Sequence, residues 1–336
     1  MYPWEDINVE EDSTLRIIHE SVTRGHNTAI IHHDDLVIKD TTVFANCHKI
    51  LKSANVPANL EKFYKSTKFK EQILPLRGFD VLFLRSNPPI DNIMLNFLDP
   101  IKDEVFIVND IDGLRRASNK VYPASLDDPD HKFIPRTIVS QNKKYLKQEI
   151  LDYPGEKMIM KPLDGYGGSG VIILEKSAMN NINSLLEFYI DRDNKKNYVI
   201  VQEYAEGADK GDVRVLMING EPVGSMRRVP AEGENRSNVH AGGSVVKHTL
   251  TKKERELCKE IGKKLVEDGL YFVGLDLIGG KLIEVNVCSP GGIPWVNKNM
   301  RTKIQSKLLD FAEGVVKVQE AIINRRQQYR KAVQDA

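Results

Sequence analysis

Lys161-Pro-Leu-Asp-Gly-Tyr-Gly-Gly-Ser-Gly170-Val places a lysine at the mouth of a glycine-rich loop. Further along, Gly274-Leu-Asp-Leu-Ile-Gly-Gly-Lys-Leu-Ile-Glu284-Val-Asn286 places two carboxylates and an amide on two apolar stretches. A lysine and glycine backbone amides suit phosphate oxygens, because glycine lets the N–H groups approach an anion closely. Asp276, Glu284 and Asn286 offer the hard oxygens that a Mg2+ ion prefers. Together the two segments describe a site for the triphosphate of ATP.

The loop fits neither common nucleotide motif. It lacks the Gly-Lys-Ser/Thr ending of a P-loop, and the strand-like Val171-Ile-Ile-Leu-Glu-Lys follows where a dinucleotide-binding turn would open a helix. The pattern left is a strand, a flexible clamp and a second strand. Asp276 and Glu284 have a plain reading as exposed strand carboxylates. Their neighbours Phe272, Val273, Leu275, Leu277, Ile283, Val285 and Val287 are apolar, which predicts strands covered on both faces. Carboxylates in such strands need a partner or a metal. A shared metal further requires Asp276 opposite Glu284. A plain two-residue Gly279-Gly280 turn would instead set Asp276 opposite Ile283, so the spacing predicts a three-residue connection or a bulge.

The elements that must carry these residues fall into three stretches. Residues 1–118 alternate helical and strand patterns: Ser13 to Arg24 has helical spacing, and 29–33, 81–85 and 105–108 are short apolar runs. This predicts an open, mostly parallel α/β sheet. Residues 119–203 hold a short helix and strand candidates at 133–140, 157–163, 170–176 and 198–204. Residues 204–336 hold strands at 212–219, 222–228, 271–278 and 281–287, a helix at 252–268 and a charged terminal helix at 312–334. The polar stretch Arg227–Gly243 is long for a loop that neither binds nor covers anything. The fold class expected is therefore α/β with α+β parts.

Composition narrows the function classes. In 336 residues, 48 basic and 47 acidic side chains nearly cancel, which gives no electrostatic case for nucleic acid. No run approaches the roughly 18 apolar residues of a membrane span, and the start Met1-Tyr-Pro-Trp-Glu-Asp does not read as a signal peptide. Cys47, Cys258 and Cys288 are odd in number and widely spaced, which suits reduced thiols in the cytoplasm. The eight histidines, including His32-His33, lack metal-ligand spacing and read as structural or surface residues.

With Gly211-Asp-Val-Arg214, Arg228-Val-Pro, Gly-Glu-Asn-Arg236-Ser-Asn238, Ala-Gly-Gly243 and Ser289-Pro290 added, the chain resembles the ATP-grasp carboxylate–amine ligases, and among them the bacterial-type glutathione synthetases. Arg85-Ser-Asn-Pro-Pro and Leu114-Arg-Arg-Ala-Ser-Asn-Lys120 extend the resemblance into the first half. It implies an N-terminal substrate-binding domain (1–118), an ATP-grasp lid (119–203) and a catalytic subdomain with a terminal helix (204–336). It further implies ATP with Mg2+, or Mn2+ in its place. Lys120 and Lys161 would hold phosphates, with Gly165, Tyr166, Gly167 and Gly168 closing over them. Glu203, Tyr204 and Ala205 would face adenine, and Glu206 and Asp212 the ribose side. Asp276, Glu284 and Asn286 would bind the metal, and Arg214 and Arg228 would face the reacting carboxylate. Arg85, Arg236, Asn238, Ser289 and Pro290 would contact the acid and amine substrates. Dimers or tetramers are implied as well.

The sequence departs from the family at Ser86-Asn87 and at Gly291-Gly-Ile-Pro-Trp295, which leaves the substrate pair open. The leading reading is glycine joined to γ-glutamylcysteine. A ligase for another acid and amine is the second, and a nucleotide-binding regulatory protein without turnover the third. Three further expectations follow. Asp276→Asn and Glu284→Gln abolish ligation and leave the fold intact. Residues 163–170 and 229–243 are mobile without ligands. The family opens with an apolar strand where only Met1-Tyr2 stand here, so the first sheet lacks that strand, through either an internal start codon or a genuine loss.

Overall fold

The computed structural model describes residues 1, 3–163, 168–192, 195–231 and 242–334. The first stretch contains α1 (Ser13–Thr23), β1 (Ala29–Ile30), β2 (Leu36–Lys39), β3 (Thr42–Ile50), α2 (Leu60–Ser66), β4 (Phe69–Pro75), β5 (Val81–Phe83), α3 (Asn92–Leu98), β6 (Phe106–Val108) and α4 (Ile111–Ala117). β3 is central to an antiparallel sheet, with β4 along one edge and β1 and β2 sharing the other. β5 and β6 form a separate parallel pair.

The mostly parallel sheet expected for 1–118 is thus corrected: among the described residues, parallel pairing there is confined to β5 and β6. The reason is local. Asp40 and Thr41, at φ 47° and 65°, make a two-residue turn between β2 and β3, and so short a link can join only antiparallel strands. Burial along β3 alternates, with Val43, Ala45 and Cys47 inside. A search for continuous apolar runs passes over such a strand. Residues 4–6 form a turn of 3-10 helix. Beside β5 a second cavity of about 880 Å3 is lined by Ile17, Val81, Phe83 and Leu309, among others.

The middle stretch holds α5 (Val121–Ala124), β7 (Thr137–Ser140), α6 (Lys143–Asp152), β8 (Lys157–Pro162), β9 (Ile172–Glu175), α7 (Ile182–Ile190) and β10 (Val199–Glu203). Its sheet has the order β7-β10-β8-β9 and is antiparallel throughout. The last stretch holds β11 (Asp212–Ile218), β12 (Glu221–Val229), β13 (Ser244–Lys247), α8 (Lys252–Glu267), β14 (Phe272–Ile278), β15 (Lys281–Asn286), α9 (Ile293–Met300) and α10 (Ile304–Gln334). The sheet order is β13-β12-β11-β14-β15. α8 begins at a capping box, in which Thr251 and Glu254 satisfy each other's backbone N–H. It buries Leu257, Ile261 and Leu265 at helical spacing, each contributing about 1.5–3 kcal/mol.

One core joins the first and last stretches, with Leu95, Ile111 and Leu114 in the same cluster as Val213, Leu275 and Leu277. The middle stretch has its own core around Leu146, Met160, Leu186 and Val201. Cys47, Cys258 and Cys288 are unbridged.

Candidate active site

A cleft of about 1180 Å3 opens between the middle sheet and the β11–β15 sheet, and reaches the N-terminal end of α1. Strand alternation explains its polar floor. On β11, Val213, Val215 and Met217 enter the shared core, which turns Asp212 and Arg214 to the cleft. On β14, Val273, Leu275 and Leu277 do the same and turn Asp276 outward.

β15 breaks the alternation. Gly279 and Gly280, at φ 59° and 72°, form the two-residue turn, with Ile278 opposite Lys281 and Leu277 opposite Leu282. The register then shifts, and Asp276 lies opposite Glu284 rather than Ile283. Ile283 is the extra residue of a bulge. Leu282 and Val285 are therefore both buried in the core, while Ile283, Glu284 and Asn286 line the cleft. Of the two geometries the metal reading allows, the hairpin takes the bulge.

The carboxylate of Asp276, 4 % exposed, is the hub of a charged network. Arg214 bonds it with two nitrogens, Nη2 at 2.9 Å to Oδ2 and Nε to Oδ1. Arg228 Nη2 approaches Oδ2 to 2.9 Å, and Asn286 Nδ2 donates to Oδ2 at 3.1 Å. Arg228 also grips both oxygens of Asp212, its Nε at 2.8 Å from Oδ1. Burial raises the pKa of Asp276, but the two guanidinium groups outweigh it and hold the carboxylate well below its usual range. Gly274 makes room for this pairing: a Cβ there would stand 3.2 Å from Cδ of Arg214.

Facing this floor, Lys161 on β8 is 7 % exposed and donates to Oε1 of Gln202 at 3.0 Å. Gln202 in turn donates to Thr137 Oγ1 at 2.8 Å. Burial lowers the pKa of Lys161 to about 8, an effect that Glu284 opposes and Lys120 reinforces. Lys120, just before α5, sits 3.5 Å from Oε1 of Glu284. At the α1 end, buried Arg85 donates to Thr14 Oγ1 at 3.1 Å and to the carbonyl of Pro290 at 3.1 Å.

The cleft brings together Arg85, Lys120, Lys161, Gly168, Glu203, Tyr204, Ala205, Asp212, Arg214, Arg228, Asp276, Glu284, Asn286, Ser289 and Pro290. Three of the carboxylates are already engaged: Asp276 is held by Arg214 and Arg228, Asp212 by Arg228, and Glu203 Oε2 accepts from the Arg136 N–H at 3.2 Å. Glu206 is not among the lining residues; its carbonyl lies close to the hairpin turn, 2.5 Å from where a Cβ on Gly279 would stand. Gly165, Tyr166, Gly167, Arg236 and Asn238 lie outside the described residues, as do most of the two stretches expected to be mobile. Sequence reasoning missed Asn8, Ser13, Thr14 and Gln202, all of which line the cleft, as does Trp295 from the segment where the sequence departs from the family. Only Gln202 had a signal, an amide in an apolar strand.

Asp276, Glu284 and Asn286 suit Mg2+. They stand at paired positions on one face, and Asn286 spends its Nδ2 on Asp276 and on the carbonyl of Gly274, which keeps its own oxygen as an acceptor. Asp276, whose oxygens face Arg214, Arg228 and Asn286, would exchange one of these donors for the ion. Lys120, Lys161, Arg214 and Arg228 around them supply the positive surroundings that a triphosphate needs.

Comparison with known proteins agrees with this geometry. The family model for the ATP-grasp domain of prokaryotic glutathione synthetase matches residues 119–301, and that for the N-terminal domain matches 1–115. Glutathione synthetase of Gloeobacter violaceus is 32 % identical over 320 residues, 92 % of this chain and 94 % of the relative. That of Agrobacterium fabrum is 34 % identical over 312 residues, 91 % and 92 % of the two chains. Among solved structures, the ATP-grasp ligase PsnB complexed with minimal precursor, Mg and ADP aligns at a TM-score of 0.57 and 15 % identity, covering 91 % of this chain and 96 % of that one. At that identity the likeness is one of fold.

Proposed function

We propose that this chain, which belongs to the prokaryotic glutathione synthetase family, joins glycine to the cysteinyl carboxylate of γ-glutamylcysteine, with ATP cleaved to ADP and phosphate. The observation that carries the reading is the cleft itself, where two lysines and two arginines face the Asp276–Glu284–Asn286 oxygens.

A carboxylate is a poor electrophile, so its oxygen first attacks the γ-phosphorus and ADP leaves. The acyl phosphate so formed is attacked by the glycine amine, and phosphate departs as the amide forms. Asp276, Glu284 and Asn286 would hold Mg2+, which would supply charge neutralisation for the transferring phosphoryl group. Lys161 and Lys120 hold phosphate oxygens from two sides. Arg214 and Arg228, fixed in direction by Asp276 and Asp212, face the acyl oxygen as it gains charge. Asp212 thus acts by orienting Arg228. Arg85 fixes the Ser289–Pro290 segment at the acid-binding end, and Glu203 to Ala205 border the adenine position.

The division at 118/119 and 203/204 belongs to the same reading. The separate core of the middle stretch supports a lid that shifts as a body and excludes water from the acyl phosphate. A cytoplasmic location and a homodimer or homotetramer belong to the same reading. Among the described residues no helix is long and apolar enough to cross a membrane. α10 exposes Val318, Ile322 and Ile323, apolar surface of the kind a second copy covers.

The test is phosphate release with ATP, Mg2+ and γ-glutamylcysteine plus glycine, with glutathione identified by mass. Substitution of Mn2+, other acidic dipeptides and a panel of amines complete the set. Turnover only with another acid–amine pair overturns the substrate assignment, and absence of any turnover overturns the ligase.

A further inference from the structure

His32, Asp35 and His48 lie outside the cleft, and each brings one metal-ligating atom within 4.8 Å of the other two. We propose that these three residues bind one divalent transition-metal ion of the Zn2+ class. Two imidazoles and a carboxylate are a donor set such ions favour, with a fourth position left for water.

The supports of the three side chains resemble those of a metal site more than those of a plain ion pair. His48 is on β3, the strand with partners along both edges, and Glu71 of β4 is its register partner. Glu71 Oε1 stands 4.0 Å from Nδ1 of His48, while Nε2 faces Asp35 Oδ2 at 3.9 Å. A carboxylate hydrogen-bonded to one ring nitrogen orients metal-bound histidines, and Glu71, at 4.0 Å, is the carboxylate near enough to take that place. On His32 a backbone carbonyl takes it. Its Nδ1 lies 2.9 Å from the carbonyl of Met1; a carbonyl only accepts, so in the neutral ring the proton belongs on Nδ1. Asp35 Oδ2 accepts from the backbone N–H of His32 at 3.1 Å, which holds the carboxylate oxygen that faces His48.

An ion pair would need only His48 and Asp35. The His32 and His48 rings are 5.4 Å apart, a poor arrangement for two imidazolium charges and a good one for two neutral ligands sharing a cation. Metal bonds of about 2.0–2.2 Å place ligand atoms roughly 3.4 Å apart in a tetrahedron, so the side chains close by about 1 Å on binding. Spacing in the sequence hides this site because strand pairing, rather than a short motif, assembles it. The ion would fasten the first residue, the turn after β1 and the central strand to one another.

To test it, chelator-treated protein is titrated with Zn2+ in saturating Mg2+ and ATP, which keep the cleft oxygens occupied. One equivalent bound, a higher Tm, and two imidazole nitrogens by X-ray absorption are expected. The His32→Ala/His48→Ala variant is expected to lose at least a hundredfold in Zn2+ affinity and keep ATP-dependent phosphate release. No binding at micromolar Zn2+, fewer than two imidazoles, or unchanged affinity in the variant overturns the proposal. If the variant does not fold, the absorption spectrum of the wild-type protein decides alone.

Discussion

The two walls of the cleft hold their charges in opposite ways. On the β11–β15 wall, Asp276 and Asp212 are gripped by Arg214 and Arg228, so buried charge is balanced before any ligand arrives. On the β8 wall, Lys161 is equally buried, but its hydrogen-bond acceptor is the neutral amide of Gln202. One wall is stabilised by its own partners; the other keeps a cation at a cost that an anionic ligand would offset. Substituting Asp276 on one wall and Lys161 on the other should therefore move stability in opposite directions while both reduce activity.

Asp276→Asn is the most severe break. It should cost at least a thousandfold in ligation and about 3 kcal/mol of stability, because two buried guanidinium groups lose their carboxylate. This amends the expectation that its loss leaves the fold untouched: Asp276 is a structural ion-pair partner as well as a candidate ligand. Denaturant unfolding of a variant as stable as wild type would break the contrast. Glu284→Gln should lose activity to the same degree with little change in Tm, its side chain being 35 % exposed. A near wild-type rate in saturating Mg2+ would remove Glu284 from the metal site.

Lys161→Met sharpens the comparison from the other wall. KM for ATP should rise roughly tenfold to a hundredfold, as expected when a charged hydrogen-bonding group on phosphate is lost. The ligand-free protein should nevertheless gain about 1–2 kcal/mol at pH 7. That figure is the relief of burying a charge, less the cost of leaving Gln202 Oε1 without its donor. A drop in stability would contradict the reading of a strained lysine.

The smallest effect is one of pH. Lys161 titrates near 8 in the folded chain, below its ordinary 10.5, and bound phosphate favours its charged form. ATP affinity should hold steady through pH 7 and fall by up to tenfold per unit above 8, with proton uptake on binding measurable by calorimetry in buffers of different ionisation enthalpy. In stability the sign is reversed. The cost of the buried charge is fully present below pH 8 and is relieved between 8 and 10.5, where the unfolded chain holds more protons. Asp276 contributes stability above its ordinary 3.8, and this is lost as pH falls through about 2. A flat affinity between pH 7 and 9.5 would argue against Lys161 as a phosphate ligand.

Much of the floor was legible because its chemistry is written in short segments. The carboxylates at 276 and 284 in apolar strands, and the glycines at 279 and 280, called for a three-residue connection or a bulge, and Ile283 supplies the bulge. Three things were hidden. The antiparallel β3 sheet alternates in burial and resembles surface sequence. The Asp276–Arg214–Arg228–Asp212 network depends on the pairing of three strands, which spacing along one strand does not reveal. Ser13 and Thr14 reach the cleft only because α1 starts there, and nothing in Asp12-Ser13-Thr14 distinguishes a cleft from an ordinary helix cap.

The division of the apolar cores has a consequence for how the protein fails. The first and last stretches share one interior, so neither can loosen without exposing the other. The sheet that carries Lys161 rests on a smaller interior of its own, and it can melt while the rest stands. Heat would then silence this enzyme before unfolding it, and on cooling a single small sheet would need to reassemble for activity to return.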